Sequence, residues 1–577
     1  MPHTTLTLGG MAGQGLVTIS DLLLKLLARA GYHLLATQDY MSRVRGGHNF
    51  IQIGIDADRI FAPQPIINIL VALDSRSIDE HRHELTAGSI VLHDSDNKPP
   101  DINGVRFAGV PMNRFANKAG NPVYANAVAL GAIAALLEIG MKGVDSLLNE
   151  HFGKKGEAAV EKNVAAAHAG YDHIAKYYAE TTSSLPPVKQ KTRMLINGAQ
   201  AIGLGMMTGG LRFISAYPMS PSTSIFNYVT ASAAELGILS EQAEDEIAAV
   251  NMALGASAAG VRTAVTTSGG GLDLMAEGIS LAGVAETPIV IANIMRPGPA
   301  TGLPTRTGQE DLNLVLNIGH GEFPRFVFAP GTAEEAFYTA IHAMNLADKY
   351  QAPVFLLGDQ QLVDSYVTLD RLNITKVRIK EHLADPAKVP APYQRYRITP
   401  NGVSPRLPYG TPGVRVMYDS HLHEEDGHIT ENADIVRAMV EKRFRKLKGM
   451  VKETGKPIWY GNKKPAITLA CWGTSYGASR EAVDALNRAG IKAGMAHFNR
   501  LAPFPSREAR VLLANKKHVH TVEGNFTGQL AQLLARETGI HSGMPVTRYD
   551  GRPITARHII DKLKEVHGNG KFKRISL

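Results

Sequence analysis

A chain of 577 residues is too long for one hydrophobic core, so three or four domains are expected. Its 44% hydrophobic and 20% charged residues are those of an ordinary soluble protein, and no run of about 18 apolar residues marks a membrane span, so a cytoplasmic location is the default. The single cysteine, Cys471, excludes an internal disulfide and any cysteine-ligated iron–sulfur cluster held by this chain alone, while a net charge of +8 favours anionic partners.

In chain order, a short strand over Thr5 to Leu8 runs into a turn with glycines at Gly9, Gly10, Gly13 and Gly15, and an apolar helix follows from Leu16 to Ala30. Glycines there let backbone N–H groups approach a phosphate at a helix N-terminus, although tight strand–helix packing explains them equally well. A second segment, Ser42, Arg43, Val44, Arg45, Gly46 and Gly47, sets two arginines beside paired glycines, a grip for a diphosphate or a solvated turn. Leu34 to Thr37 precedes Gln38, which leaves no acid in an evident ribose position and weakens a dinucleotide reading. Strands at Ile66 to Leu73 and Ser89 to Leu92, a buried helix at Ala125 to Ile139 and a last helix ending near Tyr178 complete a domain over 1–187, closed by the linker Thr181 to Pro187.

A second α/β domain is expected over 188–375. The strand Phe213 to Ser215 leads into a turn with Tyr217, Pro218 and Ser220, whose hydroxyl either contacts a ligand or caps the turn. Glu244, Asp245 and Glu246 start the helix Ile247 to Gly260, apolar enough to require burial. Glu246 either serves a cofactor or complements the helix dipole. Strand Thr263 to Val265 turns at Ser268, Gly269, Gly270 and Gly271; Ser268 is no nucleophile elbow, which makes a hydrolase a poor reading. Strand Pro288 to Ile294 opens into a loop from Arg296 to Asp311, in which Arg296 and Arg306 are both suited to clamping a carboxylate. Thr332 is the expected cap of the helix Ala333 to Asp348, and Val354 to Leu357 is a further strand.

Between 376 and 464 periodicity fails and prolines accumulate, as in an arm over a neighbour or a long functional loop. His421, His423 and His428 lie among acids here, but their spacing fits no helical metal pair, so a structural role is preferred. The basic run Glu441 to Lys448 reads as a solvated helix face, and no recognition motif supports nucleic-acid binding. A last α/β domain spans 465–577, with strands at Ala466 to Cys471, Ala493 to Phe498 and Val519 to Glu523.

Four segments in one order, Tyr217 to Ser222, Glu244 to Glu246, Thr267 to Gly271 and Gly302 to Gln309, resemble the α subunit of 2-oxoacid:ferredoxin oxidoreductases whose γ domain is fused at the N-terminus, most like the 2-oxoglutarate type. The resemblance implies an α/β multidomain fold: a coenzyme A-associated γ domain, a pyrimidine-type thiamine diphosphate-binding domain and a transketolase C-terminal-like domain. It aligns Glu246 with the glutamate that bonds the aminopyrimidine ring of thiamine diphosphate, with Tyr217, Pro218 and Ser268 beside it. Ser220 stands where the family commonly has a threonine that contacts substrate, and Arg296 and Arg306 are the candidates for the 2-oxoacid carboxylate. Gly9, Gly10, Gly13, Gly15, Ser42, Arg43 and Arg45 fall where coenzyme A is bound.

The family's Gly-Asp-Gly magnesium motif is missing, since Gly358-Asp359 continues as Gln360-Gln361. Mg2+ and a [4Fe-4S] cluster are therefore expected on a β subunit, in a dimer of heterodimers that decarboxylates a 2-oxoacid, passes electrons to ferredoxin and forms an acyl-CoA, or runs in reverse. The alternatives are an NAD-dependent oxidoreductase using the N-terminal glycine turn and a non-catalytic assembly subunit.

Overall fold

A computed structural model describes residues 3–11, 13–41, 47–189, 191–375 and 377–568. The chain divides into two units, one of residues 1–196 with 365–372 and one of the rest of the chain up to 576.

The first unit is built on a sheet of eight strands in the order Arg106–Val110, Leu85–Asp94, Ile67–Ala72, Thr4–Gly10, Asn49–Asp56, His33–Asp39, Tyr366–Leu369 and Met194–Asn197. Asn49–Asp56 is antiparallel to both Thr4–Gly10 and His33–Asp39, so an antiparallel strand separates the first two parallel-running strands of the chain. That is not the neighbouring parallel pair of a dinucleotide fold. The helix Leu16–Ala30 has the bounds its pattern predicts; Gly15 at φ 78° starts it and Gly31 at φ 103° ends it. Two features differ from expectation. His33–Asp39 runs on to an acidic end, Asp39, and Tyr366–Leu369, counted by sequence with the central domain, pairs antiparallel with Ala36 and Leu35. Neither the strand's extra length nor its distant partner is written in local periodicity.

The second unit holds two sheets. The central one orders Arg500–Ala502, Phe326–Phe328, Pro353–Asp359, Ile289–Met295, Thr263–Thr267, Phe213–Ala216 and Leu239–Gln242. Its strands are parallel except for Arg500–Ala502, which arrives from the last domain and pairs antiparallel with Phe326–Phe328. The other sheet has five strands, ordered Ile458–Gly461, Ala493–His497, Ile467–Cys471, Val519–Glu523 and Val546–Thr547. Thr332 caps Ala333–Tyr350 through a bond from Glu335 N at 3.1 Å.

The segment after residue 376 packs on its own chain. Arg395, fully buried, donates to the carbonyl of Glu286 at 2.8 Å and to Gln351 Oε1 at 2.9 Å, and Arg406 pairs with Asp348. The expected solvated face of Glu441 to Lys448 is also corrected. Lys442 and Lys446 are sealed from solvent and hold the two oxygens of the buried Glu286, Lys442 Nζ at 2.5 Å from Oε1 and Lys446 Nζ on Oε2. A buried charge persists when paired, and the partner here is 156 residues away from Lys442. His423 stacks on Tyr396 with ring centres 3.8 Å apart, while His421 and His428 bond Asp419 and Asp426. No metal-binding group of three side chains exists among the described residues.

Candidate active site

Four loops leave the carboxyl ends of adjacent parallel strands in the central sheet: 217–222, 243–246, 268–271 and 296–311. That edge is where parallel α/β sheets gather ligands, because strand ends and helix N-termini converge there. Glu246 is the first residue of the helix Glu246–Ala258, and Asp245, its N-cap, accepts from Ala248 N at 2.7 Å. The helix is held from below by Ser215 Oγ donating to the Ala249 carbonyl and Ser257 Oγ donating to that of Pro288, each at 2.7 Å. Full burial was expected, yet this helix buries one face and leaves Ile247 50% and Met252 42% exposed.

The neighbouring acids divide sharply. Asp245 is exposed, while Glu246 is 3% exposed and its Oε1 has no hydrogen-bond partner among the described residues. A β-carbon on Gly271 would meet this oxygen, so glycine is what admits the carboxylate. Ser268 Oγ, Thr266 Oγ1 and Asn293 Oδ1, all on fully buried residues, are likewise unsatisfied. Buried polar atoms are rarely left so, and several at one strand edge mark a place prepared for a polar ligand. An aminopyrimidine ring needs a dry, unengaged carboxyl group that can share a proton with its ring nitrogen, and Glu246 fits that requirement.

Arg296, half-buried, donates from Nη1 to the Ser220 carbonyl at 2.6 Å, so the structure joins two of the predicted residues. Burial lowers its pKa, opposed by the charge of Asp311. Tyr217, Pro218 and Ser220 are exposed on the same turn. Arg306 lies elsewhere on the loop, against Gly551 of the last domain, where a β-carbon would stand 3.0 Å from its own.

Sequence reasoning passed over two residues, Gln309 and Asp311. Gln309, 2% exposed, donates from Nε2 to the Trp472 carbonyl at 3.0 Å and accepts from Gly524 N at 2.8 Å, fastening the arginine loop to the last sheet. Asp311 accepts from Asn293 Nδ2 at 3.0 Å and underlies Gly269, whose β-carbon would stand 2.8 Å from Oδ2. Burial pushes the Asp311 carboxyl up to about 6, with Glu310 and Asp273 adding to the shift. Gln309 and Asp311 stood inside the quoted loop, which was the available signal. Asp359, by contrast, is spent on structure: Leu362 N donates to it at 2.9 Å, and so does the Thr474 hydroxyl.

In the first unit, the glycine turn borders a groove of about 390 Å3 whose lining includes Gly13, Gly15, Gln38, Asp39, Tyr40 and Phe50. Packing accounts for Gly10 and Gly15, since β-carbons there would reach Gln14 Oε1 at 2.7 Å and Asn126 Nδ2 at 1.9 Å. Gln14 also accepts from Met11 N, so that amide is already engaged. Gly13, at φ 95°, faces open space. Gly9 lies against Ser77 and His48, while Ser42, Arg43 and Arg45 fall outside the described residues.

Known families match three stretches of the chain: "Pyruvate ferredoxin/flavodoxin oxidoreductase" over residues 5–173, "Pyruvate flavodoxin/ferredoxin oxidoreductase, thiamine diP-bdg" over 204–442 and "Pyruvate:ferredoxin oxidoreductase core domain II" over 466–559. The 2-oxoacid:ferredoxin oxidoreductase subunit alpha of Saccharolobus solfataricus is 31% identical, covering 98% of each chain. This chain belongs to the α-subunit family of 2-oxoacid:ferredoxin oxidoreductases. A second α subunit, from Aeropyrum pernix, is 30% identical over 99% of each chain, and the 2-oxoglutarate oxidoreductase subunit KorA of Mycobacterium tuberculosis is 27% identical over 92% of this chain and 87% of its own. Among solved structures, the 2-oxoglutarate:ferredoxin oxidoreductase of Magnetococcus marinus, with 2-oxoglutarate, coenzyme A and succinyl-CoA bound, superposes with a TM-score of 0.91 at 29% identity, covering 98% of this chain and 99% of that one. The expected α/β multidomain fold and the oxidoreductase class therefore hold for this α subunit. No described helix is long and apolar enough to cross a membrane.

Proposed function

We propose that this α subunit holds the pyrimidine end of thiamine diphosphate and the carboxylates of 2-oxoglutarate, and that with a β subunit it converts the 2-oxoacid and coenzyme A into an acyl-CoA and carbon dioxide while reducing ferredoxin. The observation that carries this reading is the buried, unsatisfied Oε1 of Glu246 above Gly271. When bound, thiamine diphosphate supplies the carbon nucleophile that adds to the 2-oxo group and accepts the electrons left as carbon dioxide departs.

The chain's own residues act around it. Glu246 Oε1 would share the proton at the pyrimidine ring nitrogen, giving and taking it as the ring changes tautomer. Tyr217, Pro218 and Ser268 border the cofactor. Arg296, steadied by the Ser220 carbonyl, takes the carboxylate beside the 2-oxo group, and the Ser220 hydroxyl contacts the substrate. Arg306 takes the distal carboxylate, which is the reason for preferring a dicarboxylic 2-oxoacid. Coenzyme A phosphates fall to the glycine turn of the first unit with Ser42, Arg43 and Arg45.

Mg2+ and the [4Fe-4S] cluster belong to the β subunit on this reading. Burial pushes the Cys471 thiol up to about 12, far from the thiolate a cluster requires, and Asp359 is committed to its own helix turn. The assembly is a dimer of heterodimers.

A substrate panel on the co-expressed complex, with ferredoxin as acceptor, tests this. We expect the highest kcat/KM for 2-oxoglutarate, and a colourless, inactive α chain when purified alone. A wild-type complex preferring pyruvate would overturn the substrate assignment, and an active lone chain would overturn the division of labour.

A further inference from the structure

Behind the helix that carries Glu246 lies a cavity of about 580 Å3, within the range of roughly 300–1,000 Å3 of small-ligand sites. Asn251 of that helix lines it, together with Glu277, Ser280, His320, Glu322 and Arg443. Arg443 is 7% exposed, and its Nε is fully enclosed with nothing to donate to. No hydrogen bond or ion pair of its guanidinium exists among the described residues. The nearest candidate counter-charge is spent, because Lys442 and Lys446 take both oxygens of Glu286. A buried guanidinium without an acceptor is costly, and its five N–H donors fit a carboxylate in two parallel bonds. Across the same cavity, Glu277 and Glu322 are exposed and likewise form no ion pair. One buried cation and two exposed, unpaired carboxylates in one lining disfavour a dianion and suit a ligand with opposite charges at its ends.

We infer that this cavity binds a small zwitterion of the α-amino-acid class, its carboxylate on Arg443 and its ammonium between Glu277 and Glu322. The site is separate from the strand edge that holds Glu246, and the inference does not depend on the substrate of the enzyme. Size supports it: an amino acid leaves room in such a volume for ordered water as well.

The test is calorimetric titration of the α–β complex with glycine and with glutamate, using acetate and methylammonium as the separate halves, at fixed ionic strength. Saturable binding of at least one amino acid is expected, stronger than either half. Arg443→Met should weaken it by about 10- to 100-fold, the worth of one charge-assisted pair. Glu277→Gln with Glu322→Gln, both on exposed positions and safe for folding, should weaken the amino acid without weakening acetate. Ferredoxin-linked turnover in each variant reports that the complex has assembled. Absence of saturable binding to the wild-type complex, or equal binding by the Arg443 variant, overturns the assignment. So does acetate binding as tightly as the amino acids.

Discussion

A β-carbon on Gly271 would stand 2.4 Å from Glu246 Oε1, so the carboxylate of one helix is seated against the bare backbone of the next. Two substitutions probe this pair. Glu246→Gln keeps size and helix start but cannot take and return a ring proton; loss of a placed acid–base group is worth about 10²–10⁴-fold in rate. Gly271→Ala should displace the carboxylate and slow turnover by a comparable factor. Asp245→Asn is the control, because asparagine caps a helix as well as aspartate does and the position is exposed. Hydrogen–deuterium exchange at the thiazolium carbon, measured in assembled complexes, should fail for Glu246→Gln and be near normal for Asp245→Asn. Normal exchange without Glu246 would sink the cofactor assignment.

The two arginines of the loop should separate kinetically. Arg296→Lys loses the planar fork and its anchor on the Ser220 carbonyl, and should raise KM for every 2-oxoacid by about 10- to 100-fold. Arg306→Met should raise KM for 2-oxoglutarate and leave pyruvate unaffected. Equal losses on both substrates would show that Arg306 only shapes the loop against Gly551.

Asp311 gives a pH signature. Its carboxyl goes from 3.8 to about 6 on folding, so the folded chain binds the proton more tightly between those values. The cost of ionising it is absent below about pH 4, grows as pH rises and is complete above about pH 6, reaching about 3 kcal/mol. Asp311→Asn should therefore gain stability relative to wild type by up to that amount between pH 4 and 6, in denaturant titrations of both proteins. A difference independent of pH would refute the shift.

Glu286→Gln should cost about 3–5 kcal/mol by leaving Lys442 and Lys446 buried without their counter-charge. Adding Lys442→Met and Lys446→Met should recover much of that loss. If the single variant unfolds at the wild-type denaturant concentration, the network contributes nothing to stability.

Arg43→Ala with Arg45→Ala should raise the coenzyme A requirement by at least about tenfold while carbon dioxide release before acyl transfer stays nearly intact. Unchanged affinity for coenzyme A would leave the N-terminal turn a purely structural one.

Local chemistry was legible in the sequence wherever a residue's reason is local. The glycine that starts Leu16–Ala30, the cap at Thr332 and the order of strand, turn and helix around Ser220, Glu246 and Ser268 all follow from neighbours a few residues away. What stayed hidden depends on distant partners. Lys442 looked solvated because Glu286 cannot be paired with it by reading along the chain, and Tyr366–Leu369 looked central because strand registers are not encoded at one end only. The exposed side of Glu246–Ala258 was misjudged because Ile247 and Met252 lie on it, and apolar side chains left uncovered within one chain cannot be told from core ones by reading along the sequence.

Strand exchange between distant parts of the chain also sets a timetable for synthesis. The first unit's sheet takes in Tyr366–Leu369, and the central sheet takes in Arg500–Ala502. A ribosome has therefore made most of the polypeptide before either sheet can close, and each nascent sheet must wait with an open edge. Open strand edges attract other chains. Early contact with a chaperone, or with the β subunit, is where the yield of this enzyme in a foreign host would be won or lost.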